Sequence, residues 1–207
     1  MRVIDVARRI TFLLLLPAAL QLSGCATRPP RPDAALERAW LEHAASIDRI
    51  DQWRADGRVA IRVAQQGWTA SFGWRQAQDR FDIQLAGPFG QGVVELAGDR
   101  AGAELIRSDR SRQQAANAEE LLAAQTGWRL PVSGLRHWIL GVPAPNRPAQ
   151  RTLDADGRLA SLQQDDWDIE YEGYQQVGGR DMPRKLRLVN GDVLVRLVIA
   201  QWQTGVP

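Results

Sequence analysis

The chain has 207 residues, 44% of them hydrophobic and 24% charged, with 26 basic and 24 acidic side chains, two histidines and one cysteine. That length carries one domain with a substantial core. A lone thiol excludes an internal disulfide framework, and charges this nearly balanced, with no clustered basic run, argue against nucleic acid as a partner.

Residues 1–24 have the parts of an export signal: a start bearing Arg2, Arg8 and Arg9, an apolar core from Ile10 to Leu20, and small residues before a cleavage point. The apolar run is broken by Pro17 and falls short of the about 20 residues needed to cross a bilayer. It ends in Leu22-Ser23-Gly24-Cys25, which resembles the bacterial lipobox, whose cysteine receives a diacylglycerol thioether, becomes the new N-terminus and is N-acylated. Cys25 is the expected lipidation site; the competing reading is a plain secretory signal with a chance cysteine. Several acyl chains anchor stably where one is marginal. Ala26 stands where an aspartate would resemble an inner-membrane retention signal, so the expected destination is the inner leaflet of the outer membrane, with the domain facing the periplasm. Removing residues 1–24 from the 207 leaves 183 residues with 23 basic and 23 acidic side chains, close to neutral. Residues 25–33, rich in proline and arginine, read as the acylated cysteine and a polar tether, and residues 34–207 as a single domain.

Within that domain, Leu36, Ala39, Trp40, Ala44, Ile47 and Ile50 recur at helical spacing, predicting an amphipathic helix over residues 34–51 capped by Asp33. The period then changes to two through Val59, Ile61 and Val63, through Trp68, Ala70, Phe72 and Trp74, and through Phe81, Ile83 and Leu85. Two further strands are expected over residues 92–97 and 103–107. Helices are expected over residues 115–125, closed by Gly127, and over residues 133–140, capped by Ser133 and stopped by Gly141 with Pro143. After a proline-rich loop at residues 142–148, strands are expected near residues 158–163, 167–174, 184–189 and 192–202. Asn190-Gly191 reads as a primed turn in which both residues take positive φ. About nine strands and three helices suggest an α+β domain, mainly β, built as an incomplete antiparallel barrel partly covered by helices.

The covered face would carry Val59, Ile61, Trp68, Phe72, Trp74, Phe81, Ile83, Leu85, Leu121, Leu122, Trp138, Ile139, Ile169 and Tyr171. Periodicity alone fits a filled core as well as a cavity. Chemistry is sparse. His43 and His137 lie in different predicted helices without metal-ligand spacing, no nucleophile elbow or phosphate loop is present, and the acidic run Asp165, Asp166 and Asp168 reads as a solvated turn rather than a carboxylate pair. No cofactor, metal or catalytic group is expected. The segment Gly87-Pro88-Phe89-Gly90 sets a large apolar residue between turn formers, either folding back on the sheet edge or probing a membrane.

Several of these pieces recur together: the lipobox at Cys25, Trp40 in the early helix, Gly57-Arg58-Val59, and Gly87-Pro88-Phe89-Gly90. With them stand Pro131-Val132-Ser133-Gly134-Leu135-Arg136-His137-Trp138-Ile139-Leu140-Gly141-Val142-Pro143, Trp167-Asp168-Ile169-Glu170-Tyr171 with Tyr174, and the pair Pro183 and Trp202. In these the mature chain resembles the LolB family of outer-membrane lipoprotein receptors. The resemblance implies an incomplete barrel with a helical lid over an apolar cavity for acyl chains. It also implies a monomeric receptor, not an enzyme, that accepts acylated lipoproteins from the periplasmic carrier LolA and inserts them into the outer membrane without nucleotide hydrolysis. With such a cavity implied, the fourteen residues above, inferred from alternation and not from a motif, are its expected lining; Pro88, Phe89 and Gly90 are the expected membrane-insertion loop, Phe89 matching the family's exposed loop hydrophobe, which is more often leucine. Two rival classes remain: a structural or sensor lipoprotein with a filled core that binds a protein partner, and a periplasmic hydrolase dependent on an acidic residue such as Asp166.

Overall fold

The computed structural model describes residues 33–87, 92–126 and 129–205. Asp33 caps the first helix, α1 (Ala34–Ile47), its carboxylate accepting from the Ala35 amide at 2.8 Å. The helix ends at Ile47, four residues before the expected stop, and the chain turns at once into β1 (Gln52–Val63). That strand starts five residues before Gly57, which occupies a bulge where the pairing with the last strand shifts between Asp56 and Gly57. A Cβ on Gly57 would stand 2.1 Å from the Val198 carbonyl oxygen, so only glycine lets the two backbones approach there.

The meander continues through β2 (Gln66–Ala77), β3 (Arg80–Ala86), β4 (Val94–Asp99), β5 (Gly102–Arg107) and β6 (Arg112–Ala115). Helices α2 (Ala118–Thr126) and α3 (Val132–Trp138) follow. The chain then returns through β7 (Gln150–Leu153), β8 (Leu159–Gln164), β9 (Trp167–Val177), β10 (Arg180–Asn190) and β11 (Val193–Thr204). All eleven strands form one antiparallel sheet in the order β6-β5-β4-β3-β2-β1-β11-β10-β9-β8-β7. Its edge strands β6 and β7 do not pair with one another, which leaves an incomplete barrel.

Several local expectations are corrected. Strands β6 and β7 were not anticipated, because their sequences, Arg-Gln-Gln-Ala and Gln-Arg-Thr-Leu, are short and show no apolar alternation. Ala115 belongs to β6, and α2 starts at Ala118 behind Asn117, whose side chain accepts from the Glu120 amide at 2.8 Å while its own amide reaches the Glu120 carboxylate. Gly127 lies outside the described residues. Ser133 does not cap α3: it lies inside the helix, and its amide donates to the Glu119 carboxylate. Gly141, with φ +82, does end that segment. The β10–β11 turn is Gly191-Asp192, with positive φ at Gly191 and not at Asn190, the pattern of a type II′ turn. Two consecutive positive φ values occur instead at Asp165 and Asp166, between β8 and β9, so two members of the acidic run form a tight primed turn.

Candidate functional site

Register assigns the faces. Facing rows such as Tyr171, Leu186, Leu197 and Val59, or Leu105, Leu96, Ile83 and Trp74, place the apolar residues of all the central strands on one inner side. Connectivity assigns the ends. The β1–β2, β3–β4, β5–β6, β8–β9 and β10–β11 connections lie at one end, and α1 with the β2–β3, β4–β5 and β9–β10 turns at the other.

The inner face is closed at the α1 end. Trp53 packs on Trp74 and on Trp202 with ring centroids 5.3 and 5.5 Å apart, and all three are buried. Two of the three indoles are hydrogen-bonded inside: Trp74 Nε1 donates to Gln76 Oε1 at 3.0 Å, Gln76 Nε2 to the Gln78 carbonyl, and Trp202 Nε1 to the Pro183 carbonyl at 2.8 Å. On the β8–β10 side, α3 fills the barrel. Trp138 and Ile139 are 0% exposed, Trp138 Nε1 donates to Gln164 Oε1 at 2.7 Å, and the Tyr171 hydroxyl donates to the Trp138 carbonyl. Gln164 also bridges the Ala144 amide and carbonyl, so this one buried amide fixes the loop after α3.

At the opposite end, over β1 to β4, the same face stays open. Ile61, Ala70, Leu85, Val94 and Val193 are only partly buried against the core, as is Ile83 beside Trp74, Leu122 of α2 joins them, and Trp68 is 50% exposed. The fourteen residues expected on the covered face therefore divide. Val59, Phe72, Trp74, Leu121, Trp138, Ile139, Ile169 and Tyr171 are buried; Ile61, Phe81, Ile83, Leu85 and Leu122 are half-buried; Trp68 lies on the same face by register, opposite Ile61, but at the exposed rim. Phe81 also lines a cleft of about 630 Å³ over the β4–β5 turn, whose other walls include Arg80, Asp82, Asp99 and Glu104, a polar setting unlike the open apolar stretch. Cys25, Pro88, Phe89 and Gly90 lie outside the described residues. Sequence reading missed Gln76 and Gln164, since an isolated glutamine carries no periodic signal, and missed Val94, which faces Leu85 directly.

No group of three or more His, Cys, Asp or Glu among the described residues could hold a metal ion. Both histidines are held below their ordinary pKa, first of all by burial. His137 is pushed down to about 4, with Arg136 and Arg147 adding to the effect, and its Nε2 accepts from Arg136 Nε at 3.1 Å. The unfolded chain therefore takes up a proton near pH 6.5 while the folded one resists until about pH 4, so stability is full above that window and falls on acidification through it. We expect His137→Gln, which keeps an acceptor, to recover about 1–2 kcal/mol of the acid loss, the part-buried ring limiting the effect. Urea denaturation at neutral and acid pH measures this; equal pH slopes in the two proteins would refute it.

The match to known proteins follows the same body. Residues 51–202 match the family model described as outer membrane lipoprotein LolB. An outer-membrane lipoprotein LolB from Pseudomonas aeruginosa is 40% identical over 200 residues, covering 94% of this chain and 97% of the relative. Among solved structures, a DUF1329 family protein from Desulfovibrio piger superposes with a TM-score of 0.55 at 7% identity, covering 86% of this chain and 95% of that one. A LolA superfamily protein from Nitrosomonas europaea superposes with a TM-score of 0.50 at 11% identity, covering 83% and 94%. At such identities the two structures speak for the shared open-barrel fold alone.

Proposed function

Given that the chain belongs to the LolB family of outer membrane lipoproteins, we propose that it accepts acylated lipoproteins from the periplasmic carrier LolA on its open apolar face and passes them into the inner leaflet of the outer membrane. It is a lipid-anchored outer-membrane receptor of lipoprotein localisation, facing the periplasm. In this reading residues 1–24 are removed, Cys25 becomes the acylated first residue, residues 25–33 are the tether and residues 34–207 the receptor domain. The half-buried residues Ile61, Ile83, Leu85 and Leu122, with Trp68 at the rim, meet the acyl chains, and the buried remainder of the expected set holds the barrel and lid in place.

The observation that carries the reading is the asymmetry of the inner face. A barrel used only as a scaffold gains by filling its core throughout, since each buried methylene is worth about 0.8 kcal/mol. This one is packed with tryptophan at one end and leaves apolar surface unburied at the other. Transfer makes and breaks no covalent bond. A small difference in how well two cavities cover the acyl chains sets the direction, and entry into the bilayer is favourable for the same reason.

The tether and the apolar face lie on separate parts of the chain, so anchor and acceptance should separate. The mature chain from residue 25 carrying Cys25→Ala should take lipoprotein from a loaded carrier in solution, read by co-migration of the cargo with the receptor. A correctly folded Cys25→Ala protein that accepts nothing would show that the anchor itself belongs to the binding site.

A further inference from the structure

The outer face of the central strands gathers a charge cluster that the sequence spreads over 139 positions, from Arg58 through Arg62 to Arg196. Arg58 and Arg62 lie four residues apart on β1, about 13 Å along the strand, and Arg196 of β11 stands opposite Ala60, midway between them and about 4.8 Å across. All three are exposed, and among the described residues none of them makes an ion pair. Their neighbours differ: Arg54 is held by Asp56, Arg187 by Glu170 and Lys185 by Glu172. Val198, opposite Arg58, lies within the cluster and is 42% exposed. Asp192, in the β10–β11 turn, forms no ion pair with them among the described residues.

This cluster adjoins the open end of the barrel. Arg62 stands opposite Gly67, and Trp68 is the next residue, on the inner side of the same hairpin. Arginine beside a half-exposed tryptophan, with Val93 on the neighbouring connection, is the combination found where a surface meets a bilayer: the indole sits at headgroup depth and the guanidinium groups meet lipid phosphates. From Cys25 to the start of α1 the tether extends at most about 30 Å. A domain held that close to lipid meets it at high effective concentration, so even weak contacts are populated.

We propose that Arg58, Arg62 and Arg196, with Trp68 at the rim, form a docking surface for anionic phospholipid, which lays the outer face of β1 and β11 on the bilayer and sets the open apolar face at its edge. The proposal rests on the receptor reading for its purpose and not for its test. The test uses the mature chain from residue 25 with Cys25→Ala, which retains the whole described body. It should co-sediment with vesicles of equal parts phosphatidylethanolamine and phosphatidylglycerol, not with phosphatidylcholine vesicles, and salt should release most but not all of it. Combined Arg58→Gln, Arg62→Gln and Arg196→Gln should weaken binding by about a hundredfold, each near-surface arginine contributing about fivefold. Trp68→Ala should weaken the binding that survives at high salt. Unchanged circular dichroism checks the fold of each variant.

A parent protein indifferent to anionic lipid, or a triple variant that binds as the parent does, overturns the docking surface. So does a triple variant that keeps vesicle binding but no longer accepts lipoprotein from the carrier, since the arginines would then serve an acidic protein partner. If the parent binds anionic vesicles as expected yet accepts no lipoprotein, the receptor reading fails and the docking surface stands.

Discussion

Phe89→Glu should fold and accept lipoprotein as the parent does, yet deliver it to liposomes on the order of a hundredfold more slowly. Phe89 belongs to the segment joining β3 to β4, whose flanking strand ends lie at the open end of the barrel. A carboxylate there adds about 2 to 3 kcal/mol to any step that takes the loop into the apolar part of the bilayer, and it adds nothing to acceptance in water. Phe89→Leu, which keeps a large apolar group, should match the parent. Delivery is followed by the appearance of labelled lipoprotein in sedimented liposomes. Parental rates from Phe89→Glu would reduce the residue to ordinary loop packing.

The outer-face arginines and Phe89 divide the work differently, and the two sets of variants can be told apart. Loss of the arginines should lower attachment of the empty domain to anionic lipid, most strongly at low salt and less as salt screens the charges. Loss of the apolar tip leaves attachment intact and stops only the transfer of cargo, at any ionic strength.

Much of the architecture was legible because period-two alternation survives wherever one face of a strand is buried, as in Trp68, Ala70, Phe72 and Trp74. It failed at β6 and β7, the two edge strands, where neither face is committed to the core. The turns were legible as turns but not as types: Asn190-Gly191 carries the expected composition, yet the backbone places Gly191 first in the loop, and two aspartates adopt the primed geometry instead. Within the site, alternation groups the strand residues Val59, Ile61, Phe72, Trp74, Ile83 and Leu85 on one face, as the register also does, with Trp68 at its rim, but it cannot say how far along the barrel the packing extends. That depends on which side chains the helices bring in. The family-like string around Trp138 illustrates the point. Its residues meet the other matching pieces, Tyr171 donating to the Trp138 carbonyl, Gly141 lying against Pro183 and Tyr174, and Trp202 donating to the Pro183 carbonyl. The most recognisable segment of the sequence thus builds the scaffold, and the open apolar surface is formed by plainer residues. The arginine cluster was invisible for a related reason, because a basic patch assembled across β1 and β11 leaves no run in the chain.

This division of the inner face yields the second large effect. Leu85→Asp should leave the fold within about 1–2 kcal/mol of the parent, because residue 85 is half-buried near the open end and a carboxylate there can reach water. Its effect on cargo should be far greater. An acyl chain laid against that strand would have to strip the carboxylate of water without offering a partner, so acceptance should fall by a hundredfold or more. Trp138→Ala should show the reverse order. It removes a side chain that is 0% exposed together with its hydrogen bond to Gln164, and should cost about 3–5 kcal/mol of stability, with cargo acceptance failing only as the protein unfolds. Denaturant midpoints and carrier-to-receptor transfer, measured on the same preparations, separate the two. A folded Leu85→Asp protein that accepts lipoprotein at the parental level would place the acyl chains elsewhere, and a stable Trp138→Ala protein that alone loses acceptance would move the binding surface under α3.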